Sequence, residues 1–104
     1  MPRRSARRLR YFAAAARDYE AQLAYYAAAA PRLEMAFAMA IKTAESLIHA
    51  SPQGFAKLGG ASEIRVVVVR GFPFRLLYLV RGNDVFVVAV AHTSRAIDIF
   101  TNRA

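Results

Sequence analysis

Arginine and histidine side chains recur along and just after the β-rich runs in the second half of the chain. The residues that could contact a substrate or partner together are Arg65, Arg75, Arg81, His92 and Arg95. A guanidinium offers a planar fork of donors that matches phosphate oxygens, and one histidine could act as an acid or base near neutral pH. We expect these side chains to gather on one open sheet face or at its rim and to bind a polyanion. The alternative is structural: each arginine would cap a strand end and solvate an apolar sheet.

Other familiar catalytic and metal-binding patterns are missing. The chain has no cysteine, so disulfides and thiolate metal sites are excluded. His92 has one close carboxylate, Asp98, and no second histidine nearby, which is too few ligands for a metal. No P-loop or dinucleotide fingerprint is present. We therefore expect no metal and no cofactor.

Length and charge bound the class of protein. A chain of 104 residues is enough for one domain. The net charge is +8, and its first ten positions hold five arginines and no acid. We divide the chain into a basic arm, residues 1–10, and a single domain, residues 11–104. The arm either contacts nucleic acid through phosphate charge or is a solvated tail.

No apolar run approaches the ~20 residues that a membrane helix needs. The N-terminus also lacks the apolar region of a secretory signal. Together with the lack of cysteine, which suits a reducing cytoplasm, these features predict a cytoplasmic protein with no membrane partner.

Two helices are predicted in the first half. Ala14–Ala29 carries Tyr19, Leu23 and Tyr26 at helical spacing. Proline suits the first turn of a helix, so the second helix should run from Pro31 to His49. Its predicted core stripe is Leu33, Phe37, Ala40, Ile41, Ala44, Leu47 and Ile48. Met35 and Met39 lie off that stripe, as partly covered side chains or as a partner-binding surface.

The second half is predicted to form strands. Ile64–Val69, Phe74–Val80 and Val85–Ala91 are β-rich, and a short strand is expected near Leu9–Phe12. Between the last two runs, Gly82-Asn83 tolerates the positive φ angles of a two-residue hairpin. The predicted fold is α+β, with an N-terminal helical hairpin packed on one face of a small, mainly antiparallel sheet.

Period-two alternation predicts which strand residues share a face. One side of the middle strand should carry Phe74, Leu76, Tyr78 and Val80. The other should carry Arg75, Leu77, Leu79 and Arg81. On the last strand, His92 should share a face with Phe86, Val88 and Val90.

Two motifs suggest a family. RGFPFRLLY runs from Arg70 to Tyr78, and VAHTSR runs from Val90 to Arg95. Two predicted helices precede them: the first has paired tyrosines, and the second begins with a proline and contains Phe37. In this order and spacing the chain resembles the RelE/ParE toxins of bacterial type II toxin-antitoxin systems, also called plasmid stabilisation proteins. The resemblance implies a small toxin neutralised by a co-encoded antitoxin that folds over its surface.

The resemblance also implies a choice between two targets. RelE-like members are ribosome-dependent mRNA endonucleases, and Arg75 and Arg95 match the two arginines of their site, with His92 and Arg65 as further candidates. The expected lysine pair is replaced by valines at 66–69, and Phe100 stands near the place of the C-terminal tyrosine. Phenylalanine cannot relay a proton.

The sequence is therefore closer to the ParE-like branch, whose members are associated with inhibition of DNA gyrase. We expect a non-enzymatic gyrase poison. The alternatives are a nuclease acting on mRNA at the ribosome and a degenerate toxin that retains only antitoxin binding.

The antitoxin is expected to cover exposed apolar surface and to pair acidic residues with arginines. The residues assigned to this contact are Met35, Met39, Leu77 and Leu79.

Overall fold

The computed structural model describes residues 8–59 and 62–95, Phe100 and Arg103. These residues form the strand β1, the helices α1 and α2, and the strands β2, β3 and β4. Their bounds in that order are Leu9–Tyr11, Ala13–Ala29, Pro31–Ala50, Arg65–Val69, Phe74–Arg81 and Asp84–His92. Each predicted element is present to within one or two residues.

The strands form one sheet in the order β1-β4-β3-β2. β1 runs parallel to β4, and the other two pairs are antiparallel. The helices pack on one face, α1 mainly against β4 and α2 against β2. This confirms the predicted α+β architecture. Leu9 and Arg10 belong to β1, so the folded domain begins before the predicted boundary at residue 11; residues 1–7 of the arm lie outside the described part of the chain.

The break between the helices is a single residue. Ala30 is extended, with φ −169° and ψ 139°, and it is followed by Pro31 at the first turn of α2. Proline is favoured there because the first helical N–H groups have no intrahelical acceptor. The predicted hairpin is therefore confirmed, and neither helix is long and apolar enough to cross a membrane.

α2 buries a narrower stripe than the sequence predicted. Its buried residues are Phe37, Ile41, Ala44 and Ile48. Leu47 is 45% exposed, contrary to the prediction. At about 100° per residue it lies roughly a quarter turn from the centre of this stripe.

Both faces of the sheet are buried. On the helix face, Phe74, Leu76 and Tyr78 pack with α2. The opposite side, here the second face, buries a separate cluster: Ile64, Leu77, Leu79, Val88, Ala89, Ala91 and Phe100. Leu77 and Leu79 are 0% and 1% exposed, so their assignment to an antitoxin contact is wrong: residues of the chain itself, such as Ile64 and Phe100, cover them.

A β-bulge in β4 changes which residues share a face. Leu77 pairs with Ala89 and Tyr78 with Val87, so Val88 is an extra residue. A bulge shifts the alternation that follows it. Phe86 and Val88 therefore lie on the second face, whereas Val90 and His92 lie on the helix face. The predicted common face for these residues is wrong, because period-two counting contains no bulge.

The β3–β4 turn is the predicted two-residue hairpin. Arg81 pairs with Asp84, and Gly82 has φ +63°. A positive φ is accessible to glycine at little steric cost. Asn83 keeps a negative φ, so one of the two predicted positive angles is used.

Tyr78 ties the sheet to the segment that follows α2. Its side chain is fully buried, and its hydroxyl donates to the Pro52 carbonyl at 2.7 Å. Burial raises the pKa of Tyr78 from 10.0 to about 12, partly opposed by the positive charge of Arg65. The folded protein therefore stabilises the neutral phenol of Tyr78 relative to the phenolate.

We expect Tyr78→Phe to lower the free energy of unfolding by about 1–2 kcal/mol, because the buried Pro52 carbonyl loses its donor. Chemical denaturation at pH 7 measures this. Tyr25→Phe is the control, since Tyr25 is 67% exposed and should change stability little. Equal losses in the two variants would contradict the role of the hydrogen bond.

The same variant should alter alkaline stability. An unfolded tyrosine ionises near pH 10.0, whereas Tyr78 in the fold does so at about 12, so stability falls as pH rises through this window. Tyr78→Phe removes that contribution, and its stability should decline less steeply between pH 10 and 12. Parallel declines would show that Tyr78 is not linked to folding.

Candidate functional site

The strand register separates the five predicted site residues into two groups. Arg65 pairs with Tyr78, and Arg81 closes the β3–β4 turn. Arg75, His92 and Arg95 lie toward the opposite end of the sheet. The predicted gathering of all five at one face or rim is therefore not observed, because register was not visible in the sequence.

Arg65 and Arg81 have separate surroundings. The Arg65 Nη1 donates to the Phe55 carbonyl at 2.6 Å, which ties β2 to the segment after α2. Arg65 therefore fits the structural alternative, in which an arginine at a strand end serves the fold. Arg81 is exposed at the end of β3.

Arg75 and His92 lie on opposite faces of the sheet. His92 pairs with Phe74, whereas Arg75 pairs with the preceding residue, Ala91. Successive strand residues point to opposite faces. The Arg75 Nη2 donates to the Thr93 carbonyl at 3.2 Å, and its buried Nε has no partner among the described residues. Arg75 therefore supports the chain that leaves β4.

A groove lies on the helix side of that end, between α1 and the end of β4. Its volume is about 300 Å³. We call it the basic groove; its polar lining residues are Arg17, Asp18, Gln22, His92, Arg95 and Arg103. Arg17 and Arg95 are exposed, so their guanidinium groups are open to a ligand.

The contribution of α1 to this groove is not predicted by the sequence pattern. Tyr19, Leu23 and Tyr26 indicate the apolar side of the helix and assign no role to the polar positions beside them. Asp18 and Gln22 are four residues apart, so they lie on one side of α1. This spacing was visible, but nothing in the sequence indicated which strand the polar side would meet.

Asp18 and Arg103 neutralise each other within the groove. The Arg103 Nη1 lies 2.7 Å from the Asp18 Oδ2, and both side chains are partly buried. The same Oδ2 accepts the Val90 backbone N–H at 3.1 Å, and Nη1 also donates to the Val88 carbonyl at 3.2 Å. The remaining charged side chains, Arg17 and Arg95, give the groove a net positive charge.

The geometry around His92 determines which ring nitrogen can donate. The Ser94 backbone N–H donates to Nδ1 at 3.0 Å, and the Ser94 Oγ lies 2.7 Å from the same atom. Because Nδ1 accepts, the proton of the neutral ring is on Nε2. The ring also packs edge-on against Phe74, with centroids 5.1 Å apart. His92 is thus oriented as a hydrogen-bond donor.

The basic groove is suited to binding an anion. Two guanidinium groups and an imidazole N–H can meet carboxylate or phosphate oxygens. The described residues include no group of three side chains that could hold a metal ion. The arrangement therefore favours recognition of charge.

A family model matches most of the chain. The model for the ParE toxin of the type II toxin-antitoxin system, parDE, matches residues 9–97. The chain belongs to the ParE toxin family. A comparison with curated protein sequences finds no match.

Two solved structures share the fold of this ParE-family chain. One is the chromosomal ParDE toxin-antitoxin system from P. aeruginosa, at 19% identity and TM-score 0.67, covering 81% of this chain and 92% of that one. The other is the RelBE2 toxin-antitoxin complex from Mycobacterium tuberculosis, at 20% identity and TM-score 0.59, covering 86% and 92%. The fold is therefore common to ParE and RelE relatives.

We expect Asp18→Ala to lower the free energy of unfolding by about 1–2 kcal/mol, because it leaves the Val90 N–H without its acceptor and Arg103 without its carboxylate. A double-mutant cycle with Arg103→Ala should give a coupling of at least about 0.5 kcal/mol. Glu20→Ala on the exposed side of α1 is the control and should stay within about 0.5 kcal/mol. Strict additivity would contradict the coupling.

Nuclear magnetic resonance should find neutral His92 as the Nε2–H tautomer. Its Nδ1 is expected to show the ¹⁵N shift of an unprotonated ring nitrogen, and Nε2 that of a protonated one, because Ser94 donates to Nδ1. Ser94→Pro, which removes the backbone donor, should reduce this bias. A dominant Nδ1–H tautomer in the unchanged protein would refute the assigned orientation.

Proposed function

We propose that this ParE-family toxin inhibits DNA gyrase by binding, without catalysing a reaction, and that a co-encoded antitoxin neutralises it. The observation that carries the proposal is the separation of Arg75 from His92 by the plane of the sheet. A nuclease must hold its acid, base and phosphate-binding groups around one reacting phosphate. Here Arg75 is bound to a backbone carbonyl on the far side from His92.

The tautomer of His92 supports the same conclusion. A general base needs an unprotonated nitrogen within reach of the proton that it removes. Nδ1 of His92 already accepts from Ser94, and Nε2 carries the proton. The histidine is therefore better arranged to donate a hydrogen bond to an anion than to activate a ribose hydroxyl.

The centre of β2 and the position of Phe100 also argue against a nuclease. Val66 to Val69 occupy the strand where a nuclease of this fold would carry lysines. Phe100 is 6% exposed and packs in the cluster on the second face. Neither position supplies a cation or a proton relay.

The basic groove is the proposed contact with the target. Arg17 and Arg95 would pair with carboxylates of gyrase or with phosphates of its bound DNA, and His92 would add a neutral donor. Such a contact is electrostatic, so inhibition should weaken as salt increases.

Supercoiling of relaxed plasmid by purified gyrase, titrated with this protein, tests the proposal. Inhibition or trapped cleavage complexes are expected, and they should be relieved by the product of the neighbouring antitoxin gene. Arg95→Gln should weaken inhibition roughly tenfold or more, as expected for loss of one charged contact. Arg81→Gln is the matched control, because it removes the same charge at the opposite end of the sheet.

Absence of any effect on gyrase would refute the proposal. Cleavage of mRNA on translating ribosomes that disappears in Arg95→Ala would replace it with the nuclease function. Overexpression without growth arrest would instead indicate a toxin that retains only antitoxin binding.

A further inference from the structure

A cavity of about 370 Å³ lies between β1, the first half of α1 and the second half of α2. Its apolar lining comes from Tyr11, Ala16, Tyr19 and Ile41, and we call it the tyrosine cavity. Ligand sites in proteins are concave, largely apolar and about 300–1,000 Å³ in volume. The tyrosine cavity therefore has the size for a small molecule, and it shares no lining residue with the basic groove.

The two tyrosine rings form fixed walls of this cavity. They meet edge to face, with ring centroids 6.4 Å apart. The Tyr11 hydroxyl donates to the Glu45 Oε2 at 2.6 Å, and the Tyr19 ring stacks on the Phe37 ring with centroids 5.9 Å apart. Both rings are thus held in place without a ligand, which lowers the entropic cost of binding one.

Charged side chains supply the polar part of the lining. Glu20 from α1 and Glu45 from α2 line the cavity together with one cation, Lys42. Two carboxylates and one ammonium group leave one negative charge in excess. The cavity is therefore a negative region on a protein whose net charge is +8.

Neither glutamate is neutralised by a cation of the described residues, where the ion pair joins Arg103 to Asp18. Lys42 lines the cavity without pairing with Glu20 or Glu45. The partner of the half-buried Glu45 is the neutral phenol of Tyr11. A buried charge is costly unless it is paired, so a cation that enters the cavity would gain from contact with Glu45.

The carboxylate of Glu45 also acts on both phenols. Burial raises the pKa of Tyr11, and the hydrogen bond and charge of Glu45 raise it further. Burial likewise raises the pKa of Tyr19, again with a contribution from the charge of Glu45. The phenols therefore stay neutral at pH 7. Neutral tyrosine rings and a carboxylate both attract an ammonium group.

We propose that the tyrosine cavity binds a small organic amine. The ammonium group of the ligand pairs with Glu45 and Glu20, and its apolar body packs on Ile41 and Ala16 beside the two tyrosine rings. The excess of one negative charge matches a ligand with a single ammonium group. This site is independent of the proposed action on gyrase.

Three ligands with the same aromatic body test the role of charge: phenethylamine, phenethyl alcohol and hydrocinnamate, which are cationic, neutral and anionic at pH 7. Nuclear magnetic resonance of the full chain should show saturable shifts at Tyr11, Tyr19 and Ile41 with the amine. Its dissociation constant should be about 1 mM or lower. The alcohol should bind at least about tenfold more weakly, and the carboxylate should leave these signals unchanged.

Glu45→Gln tests the charged contact. The variant keeps an acceptor for the Tyr11 hydroxyl but removes the charge, so it should weaken binding of phenethylamine at least about tenfold. Binding of phenethyl alcohol should stay within about threefold. Glu63→Gln is the matched control, because Glu63 is exposed just before β2 and loses the same charge outside the cavity. It should bind the amine as the unchanged protein does.

Ala16→Leu tests the location of the ligand by filling the cavity from α1. It should abolish binding of the amine and the alcohol alike. Leucine is a good helix former, and circular dichroism with thermal unfolding checks that the fold is kept. Ala24→Leu adds the same side chain at an exposed position of α1 and should leave binding unchanged.

Four results would overturn the proposal. These are no saturable binding of phenethylamine, equal binding of the amine and the alcohol, unchanged amine binding by Glu45→Gln, and an equal loss in Glu63→Gln. Amine binding that survives in a folded Ala16→Leu would place the ligand elsewhere and would also refute the site. None of these assays contains gyrase or an antitoxin, so their failure would leave the proposed function standing.

Discussion

The buried backbone N–H and C=O groups of β4 need hydrogen-bond partners along both edges of the strand. Much of the structure follows from how these partners are supplied. On one edge β4 pairs with β3 along its whole length, but on the other β1 pairs only with Val85 to Val87. Beyond that point the Asp18 carboxylate accepts the Val90 N–H, and the Arg103 guanidinium donates to the Val88 carbonyl. Buried backbone groups without partners are costly. Side chains from α1 and from the C-terminal segment thus complete the sheet where a strand ends.

The bulge at Val88 links that constraint to the site. The extra residue places Val90 and His92 on the helix face, where they line the same groove as Arg17 and Arg95. Without a bulge, His92 would share the face of Arg75 instead. This single extra residue therefore determines whether His92 and Arg75 lie on the same face of the sheet or on opposite faces. The observed separation favours a surface that recognises charge over one that cleaves RNA.

The sequence predicted the architecture because its local signals agree with the fold. Ala30-Pro31 separates the helices, and Gly82 fits a tight hairpin, so the order of elements could be inferred from pattern and turn chemistry alone. The site was predicted only in part. His92 and Arg95 are predicted from the sequence, but Arg17 lies far from them along the chain and Arg103 lies beyond the last predicted strand, so the approach of both depends on tertiary packing. The assignment of Leu77 and Leu79 to an antitoxin contact is wrong because alternation distinguishes two faces without showing that Ile64 and Phe100 cover one of them.

The basic groove holds charges of two kinds. Asp18 is neutralised by Arg103 within the fold, whereas Arg17 and Arg95 are exposed. Salt screens exposed charges strongly and partly buried pairs much less. Added salt should therefore weaken binding of an anion to the groove before it weakens the Asp18–Arg103 pair that holds α1 against β4.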